Sequence, residues 1–270
     1  MKRLPLITIL SLTCLSAPIV RAQSEASGNK RPPVTASLVP VGANSDSYWV
    51  GDGPGMRAIP LDPGAAPPGT LCIRHRKDFL TIPAILNRPS MALPVTATGL
   101  LRVFATPQVA PDQEAPPVFG DFQVSTTPGH YDVFLNRAPS RKDWSKPEHL
   151  VLASSPSAFP PDTFRIINLC ALPVRAVIGS TTIDLPPRQA RMTPVPAGKS
   201  GKLVSIQAAH ATNDGPRIFI RTGIKLMPGQ RANLVFFPGR DPKKACQATW
   251  FYQSKPGPVA GTPEPVSYTH

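Results

Sequence analysis

Proline-free stretches, acidic residues and cysteines are all scarce in this chain. Its 270 residues include 36 Pro and 19 Gly, roughly 20% of the chain against an average usage of about 12%. Proline has no N–H to donate and cannot continue a helix interior. With prolines spread from Pro5 to Pro265, helical bundles, helical solenoids and doubly wound folds are disfavoured. Beyond the N-terminal segment there are three cysteines, Cys72, Cys170 and Cys246. They allow at most one intramolecular disulfide, and their wide spacing excludes Cys-x-x-Cys redox and zinc motifs. No Gly-x-Ser-x-Gly elbow, His-Glu-x-x-His, P-loop or Gly-x-Gly-x-x-Gly is present. The 16 acidic residues form no Asp-x-Asp-x-Asp-Gly calcium loop. The sequence therefore assigns no residue to catalysis, to a cofactor or to a metal.

What is present is a hydrophobic fraction of 41% with 11 Phe, 4 Tyr and 3 Trp, enough to bury a core. The N-terminus reads as a secretory signal over residues 1–22: Lys2 and Arg3 are followed by an apolar run, Leu4 to Val20, and by Val20-Arg21-Ala22. That run, interrupted by Pro5 and Pro18, falls short of the ~20 residues that span a bilayer. Cleavage before Gln23 is favoured over anchoring, with the product in a periplasm, at a cell surface or secreted. No transmembrane segment is expected after removal. The 29 Lys and Arg against 16 Asp and Glu give a net charge of +13, and losing Lys2, Arg3 and Arg21 leaves +10. Such a charge favours anionic surfaces through attraction that salt screens.

Residues 23–34 and 255–270 are polar and proline-rich and read as a flexible leader and tail. A Ser/Pro stretch near 155–161 divides the remainder into modules 35–155 and 162–254. The halves echo one another. Residues 124–155 and 224–254 each run from an apolar segment through Pro-Gly (Pro128-Gly129, Pro228-Gly229) into a strand, a basic loop and a last strand. In that alignment His130 stands opposite Gln230, which reads as a turn position without required chemistry. A fainter echo sets 85–95 beside 166–174.

Short apolar or alternating runs predict strands at Leu100 to Ala105, Val118 to Gln123, Thr163 to Leu169, Leu203 to Ala208 and Arg217 to Arg221. The expected fold is all-β, two tandem immunoglobulin-like or related β-sandwich modules. One hairpin is specified to the residue. A two-residue turn at Gly179-Ser180 pairs Ile178 with Thr181, Val177 with Thr182, Ala176 with Ile183, Arg175 with Asp184 and Val174 with Leu185.

The segment FRIINLCALPVRAVIGSTTIDLPPRQARMTPVPAG, with PGQRANLVFF further on, resembles exported proteins of verrucomicrobial-type bacteria. In these an "INL"-like turn, a Pro-Val strand, a hairpin and an "LPP" or "LPPG" turn recur. The resemblance covers most of 160–255, more loosely 35–155, and implies an exported tandem β-sandwich without an assigned activity. Arg188 stands where that turn has Gly.

The positive chemical feature is a basic loop before the last strand of each half: Arg137, Arg141, Lys142 and Lys146 around Trp144, and Arg240, Lys243 and Lys244. These residues could form a stripe for an anionic envelope polymer, with Trp144 stacking on a sugar or base; solvated loops are the competing interpretation. No specific nucleic acid is implied, and another envelope protein is an alternative partner. Cys170 with Cys246 is the favoured disulfide, since both fall in the second half; reduced thiols packed as small apolar groups remain the alternative. The expected function is a non-enzymatic envelope or surface role in binding or scaffolding. The alternatives are a secreted hydrolase of unrecognised type and a subunit of a surface fibre.

Overall fold

A computed structural model describes residues 33–253, apart from 44–46, 53–54, 61–63, 65, 76, 109–114, 142 and 240–244. The signal and tail expected at 1–22 and 255–270 lie outside the described residues, as does the leader up to residue 32. Val34, placed in the leader above, opens the first strand.

The first half contributes β1 (Val34–Val41), β2 (Ser47–Asp52), β3 (Gly55–Pro60), β4 (Thr70–His75), β5 (Asp78–Pro83), β6 (Leu93–Pro94), β7 (Leu100–Phe104), β8 (Val118–Gln123), β9 (Gly129–Asn136) and β10 (Glu148–Ala153). The second contributes β11 (Thr163–Asn168), β12 (Val174–Ile178), β13 (Thr181–Leu185), β14 (Gln189–Pro194), β15 (Leu203–Thr212), β16 (Gly215–Lys225), β17 (Arg231–Pro238) and β18 (Cys246–Gln253). Among the described residues there is no helix, as the proline content requires.

The protein is all-β and built as two tandem β-sandwich modules. In the first, sheet β10-β9-β1-β6 faces sheet β5-β4-β7-β8; in the second, β18-β17-β11-β14 faces β13-β12-β15-β16. The two orders are identical strand for strand once the β2–β3 hairpin is set aside. Each module even repeats one parallel pairing among antiparallel ones, β1 with β9 and β11 with β17. The echo between 124–155 and 224–254 thus falls on equivalent strands. The fainter echo does not: 85–95 runs from the β5–β6 connection through β6, whereas 166–174 joins β11 to β12. Similar turn residues produced that likeness without a shared position.

Three apolar clusters make the two sandwiches into four layers. Ala36, Leu38, Val133 and Leu135 pack inward against Ile73, Val103 and Phe122. In the second module Phe164, Ile166, Leu234 and Phe236 pack against Ala176, Ile178 and Ile206. Val39, Val41 and Phe134 meet Ile167, Leu169, Val235 and Phe237 between the modules. Strands β1, β9, β11 and β17 are consequently buried on both faces, which is why they read as near-continuous apolar runs instead of alternating ones. Removing each large apolar side chain of the middle cluster from water contributes about 1.5–3 kcal/mol, so the modules are held as one body.

The β12–β13 hairpin has all five predicted pairs. Gly179 takes φ +60°, and Ser180 keeps a negative φ, the pattern of a type II′ turn. Arg175 Nε donates to Asp184 Oδ1 at 2.7 Å across the exposed face.

Candidate functional site

The layer between the modules is apolar in its middle and polar at one end. Along β1 and β9, Thr35, Ser37, His130 and Asp132 alternate toward the second module; along β11 and β17, Thr163, Arg165, Arg231 and Asn233 alternate toward the first. The ladder registers make these positions equivalent in pairs: Thr35 with Thr163, Ser37 with Arg165, His130 with Arg231, and Asp132 with Asn233. Ser154, whose N–H donates to His130 O, matches Gln253, which pairs with Arg231. One duplicated set of positions has therefore acquired two different sets of side chains.

These side chains satisfy one another. Asp132 is fully buried, and its Oδ2 accepts from Arg165 Nη2 at 2.5 Å, Ser154 Oγ at 2.6 Å and Gln253 Nε2 at 3.0 Å. Arg165 also donates from Nε to Asn233 Oδ1 at 2.7 Å and from Nη1 to Ala153 O at 3.0 Å. Asn233 Nδ2 donates to Gln253 Oε1 at 2.6 Å. The segment joining the modules is drawn in as well: Phe159 is fully buried, with Arg165 Cζ 4.3 Å and Arg231 Cζ 5.1 Å from its ring centre. Its carbonyl accepts from Arg231 Nη1 at 2.7 Å. Burying a carboxylate this deep is costly unless a cation and hydrogen bonds of this kind surround it.

His130 is corrected by this geometry. It belongs to β9 and not to the turn, and it is buried, with Nδ1 hydrogen-bonded to Thr35 Oγ1 at 2.9 Å and Nε2 to Ser37 Oγ at 3.3 Å. Its counterpart is Arg231, because Gln230 is an extra residue in the second turn that moves the alignment by one. Burial pushes the His130 pKa down; Asp132, 3.7 Å away, opposes this, and Arg165 and Arg231 reinforce it.

The opposite end of the same layer holds three of the predicted basic residues, Arg137, Arg141 and Lys146. Strands β9 and β17 end side by side there: Asn136, Arg137 and Trp144 line a narrow mouth together with Val41, Phe237, Pro238 and Gln247, with a volume of about 20 Å³, room for about one water. Arg141 and Lys146 are exposed on the loop after β9. Arg141 Nη1 donates to Ser145 Oγ at 3.2 Å. Asp143 adds a negative charge in this loop, its pKa held down first by the Ser145 hydroxyl and then by the Ser145 N–H. Lys142, Arg240, Lys243 and Lys244 lie outside the described residues.

Trp144 does not offer a stacking face. It is 4% exposed and its indole packs in the first module's core, while its backbone N–H donates to Gly64 O at 3.1 Å. An indole in a polar loop serves here to pin that loop to the sandwich, a role that local sequence does not distinguish from ligand stacking.

Across the mouth, Arg188 pairs with Glu148 and its Nη1 donates to Asn136 Oδ1 at 3.5 Å. Arg188 has φ +61°, the left-handed region that favours glycine. Arg188 thus holds a backbone conformation that glycine adopts more readily, and its side chain reaches the other module.

A groove of about 430 Å³ lies in the second module between Gly179, Lys199, Leu203, Ser205 and Thr222. Lys199 is the ionisable residue in its lining, so it presents no acid–base pair. Cys170 and Cys246 are free thiols buried in the second module's core, and Cys72 is a separate buried thiol. Among the described residues no helix is long and apolar enough to cross a membrane. No protein-family model matches the chain, and no curated protein matches its sequence.

Reasoning from sequence missed the buried cluster. Its signal was a single charge inside an otherwise apolar strand, Arg165 in TFRIINL and Asp132 in YDVFLN. In a strand covered on both faces such a charge requires a buried partner.

Proposed function

We propose that the chain is an exported, non-enzymatic envelope or surface protein that holds an anionic polymer against one end of its four-layer stack. The observation that carries this reading is the common end at which β9 and β17 finish, with Arg137, Pro238 and Gln247 around one mouth. The basic loop after β9 leaves from it, and the second basic stretch lies between Pro238 and Gln247 in the chain. Arg137, Arg141 and Lys146 leave from that end on the first loop, and the fields of cations gathered there add. The net charge of +13 and the signal-like N-terminus support the same reading. So does the sealed polar cluster, which leaves its acid and bases engaged with each other and gives the pair of modules rigidity.

The test is retention on immobilised heparin and on anionic phospholipid vesicles as a function of salt. Replacing Arg141, Lys142, Lys243 and Lys244 by Ser should lower the eluting salt concentration on the matrix that mimics the ligand. Unchanged retention and unchanged salt dependence on both would overturn the reading.

A further inference from the structure

We infer that Trp250 and Tyr252 form a stacking platform for the sugar rings of an acidic polysaccharide, on the flank of the second module that leads away from the mouth. This rests on the polymer-binding reading above and names the polymer as a glycan. Strand β18 is the edge of its sheet, and the register sets Leu234 opposite Trp250 and Ala232 opposite Tyr252. Leu234 and Ala232 are fully buried in the second core. The two aromatics take the same face, yet they are 41% and 44% exposed. Among the described residues, then, the outer sheet covers β17 and stops short of β18. Its last strand, β16, meets β18 at this edge, where Tyr252 Oη donates to Lys225 O at 2.7 Å and so fixes that ring.

Phe251, between the two, turns the other way toward Phe134 of the first module, with ring centres 6.3 Å apart. Alternation thus leaves Trp250 and Tyr252 on one side, about 7 Å apart along the backbone. Two large aromatic side chains together in water mark an interaction surface more than a lone exposed leucine does. They offer rigid, flat contact area with a polar edge at little entropic cost.

The charge around them selects the partner. Arg217, Arg221 and Lys225 are exposed on β16, and neither β16 nor β18 carries an acidic residue. A sugar ring presents C–H groups on its faces, which stack on an aromatic ring, and an acidic sugar carries carboxylate or sulfate at its rim, which cations attract. Gln247, early in the same strand, lines the mouth. Trp250 therefore lies about 10 Å further along β18 and Tyr252 about 17 Å, so a polymer held at the mouth continues onto both rings, whereas a small anion does not span them. The stacking tryptophan is Trp250, at an uncovered edge, and not the buried Trp144.

The test uses the full chain and a heparin oligosaccharide, with an oligothymidylate of equal charge beside it. Trp250→Leu and Tyr252→Leu keep an apolar cover over the core and remove the rings. Together they should weaken heparin binding by about tenfold or more in titration calorimetry. The dependence on salt should stay unchanged, since stacking releases no counterions. On the unaltered chain, hydroxyl-radical oxidation of the peptide carrying Trp250 and Tyr252, mapped by mass, should fall when heparin is bound; this reads the contact even where the variants fold poorly. Unchanged affinity in the double variant, or rings left unprotected at saturating heparin, overturns the platform, and the polymer reading outlives that result if the basic-loop variant still weakens retention. Absence of heparin binding by the natural chain overturns the platform, and absence of vesicle binding as well overturns the polymer reading with it. Ring-dependent binding confined to the oligothymidylate overturns the glycan assignment.

Discussion

Asp132 of β9 and Arg165 of β11 meet at 2.5 Å between sheets that belong to different sandwiches, each with less than 3% of the residue exposed. This contact, with Asn233, Gln253 and Ser154 around it, makes the pairing of the modules specific where the neighbouring apolar cluster makes it favourable. Burying an ion pair gains little net stability, but leaving one member alone is severe.

Asp132→Ala should therefore destabilise the protein by about 3–5 kcal/mol, since it leaves the Arg165 guanidinium buried without its counter-ion. The double variant Asp132→Leu with Arg165→Met should recover most of that loss. Urea denaturation of the single and double variants checks the cycle; a double variant as unstable as Asp132→Ala would show that the charges are not the coupled element.

His130 makes stability depend on pH in a defined window. Its pKa is lowered in the fold, chiefly by burial, so the folded chain holds it neutral while the unfolded chain takes up a proton below about pH 6.5. The unfolded state then binds more protons. Stability is full above that pH and is lost progressively as the pH falls toward the folded pKa. His149, also lowered by burial and 5.1 Å from the Phe122 ring, acts in the same direction. Tm recorded between pH 7.5 and 5 should fall less steeply in His130→Gln than in the natural chain, whatever the variant's Tm at pH 7.5.

Asn168 should prove as important as a core phenylalanine. Its side-chain amide donates to Leu172 O at 2.9 Å, Leu185 O at 3.1 Å and Pro186 O at 3.2 Å, and its Oδ1 accepts from Cys170 N–H. Asn168→Leu removes these bonds without removing the carbonyls, at a cost of about 3 kcal/mol. Guanidinium unfolding of this variant measures the loss. It also explains why the turn after β11 carries the INL pattern: the asparagine supplies the hydrogen bonds that a ladder would otherwise provide.

Arg188→Gly should change stability little, within about 0.5 kcal/mol, because relief of the left-handed backbone offsets loss of the half-exposed pair with Glu148. Glu148→Gln loses the pair with no such relief and should cost up to about 1 kcal/mol. Chemical denaturation of both separates the two effects, and a large loss in Arg188→Gly would mean that the pair outweighs the backbone.

Much of the local structure was legible. The β12–β13 hairpin followed from a two-residue glycine turn, one apolar face and the Arg175–Asp184 pair, all of which require the same register. Strands such as Val118–Gln123 were bounded by turn residues and emerged with those bounds. The duplicated end of each module was visible because strand, basic loop and strand follow one another in the chain. Less legible was anything that depended on which face a side chain takes in a strand covered on both sides. There the alternation signal vanishes, so Asp132 was not set apart from the other acids and His130 read as a turn position. The single added residue Gln230 was enough to hide the match of His130 with Arg231.

By itself, then, the sequence determined the fold class, the strand content and the hairpin register, because proline placement, turn chemistry and period-two patterning act over a few neighbouring residues. Only the tertiary structure decided that the two sandwiches stack through equivalent sheets, that Trp144 faces inward, and that five duplicated positions converge on one ion pair. Those outcomes depend on surfaces brought together from residues about a hundred positions apart, and no local pattern encodes which surface will meet which.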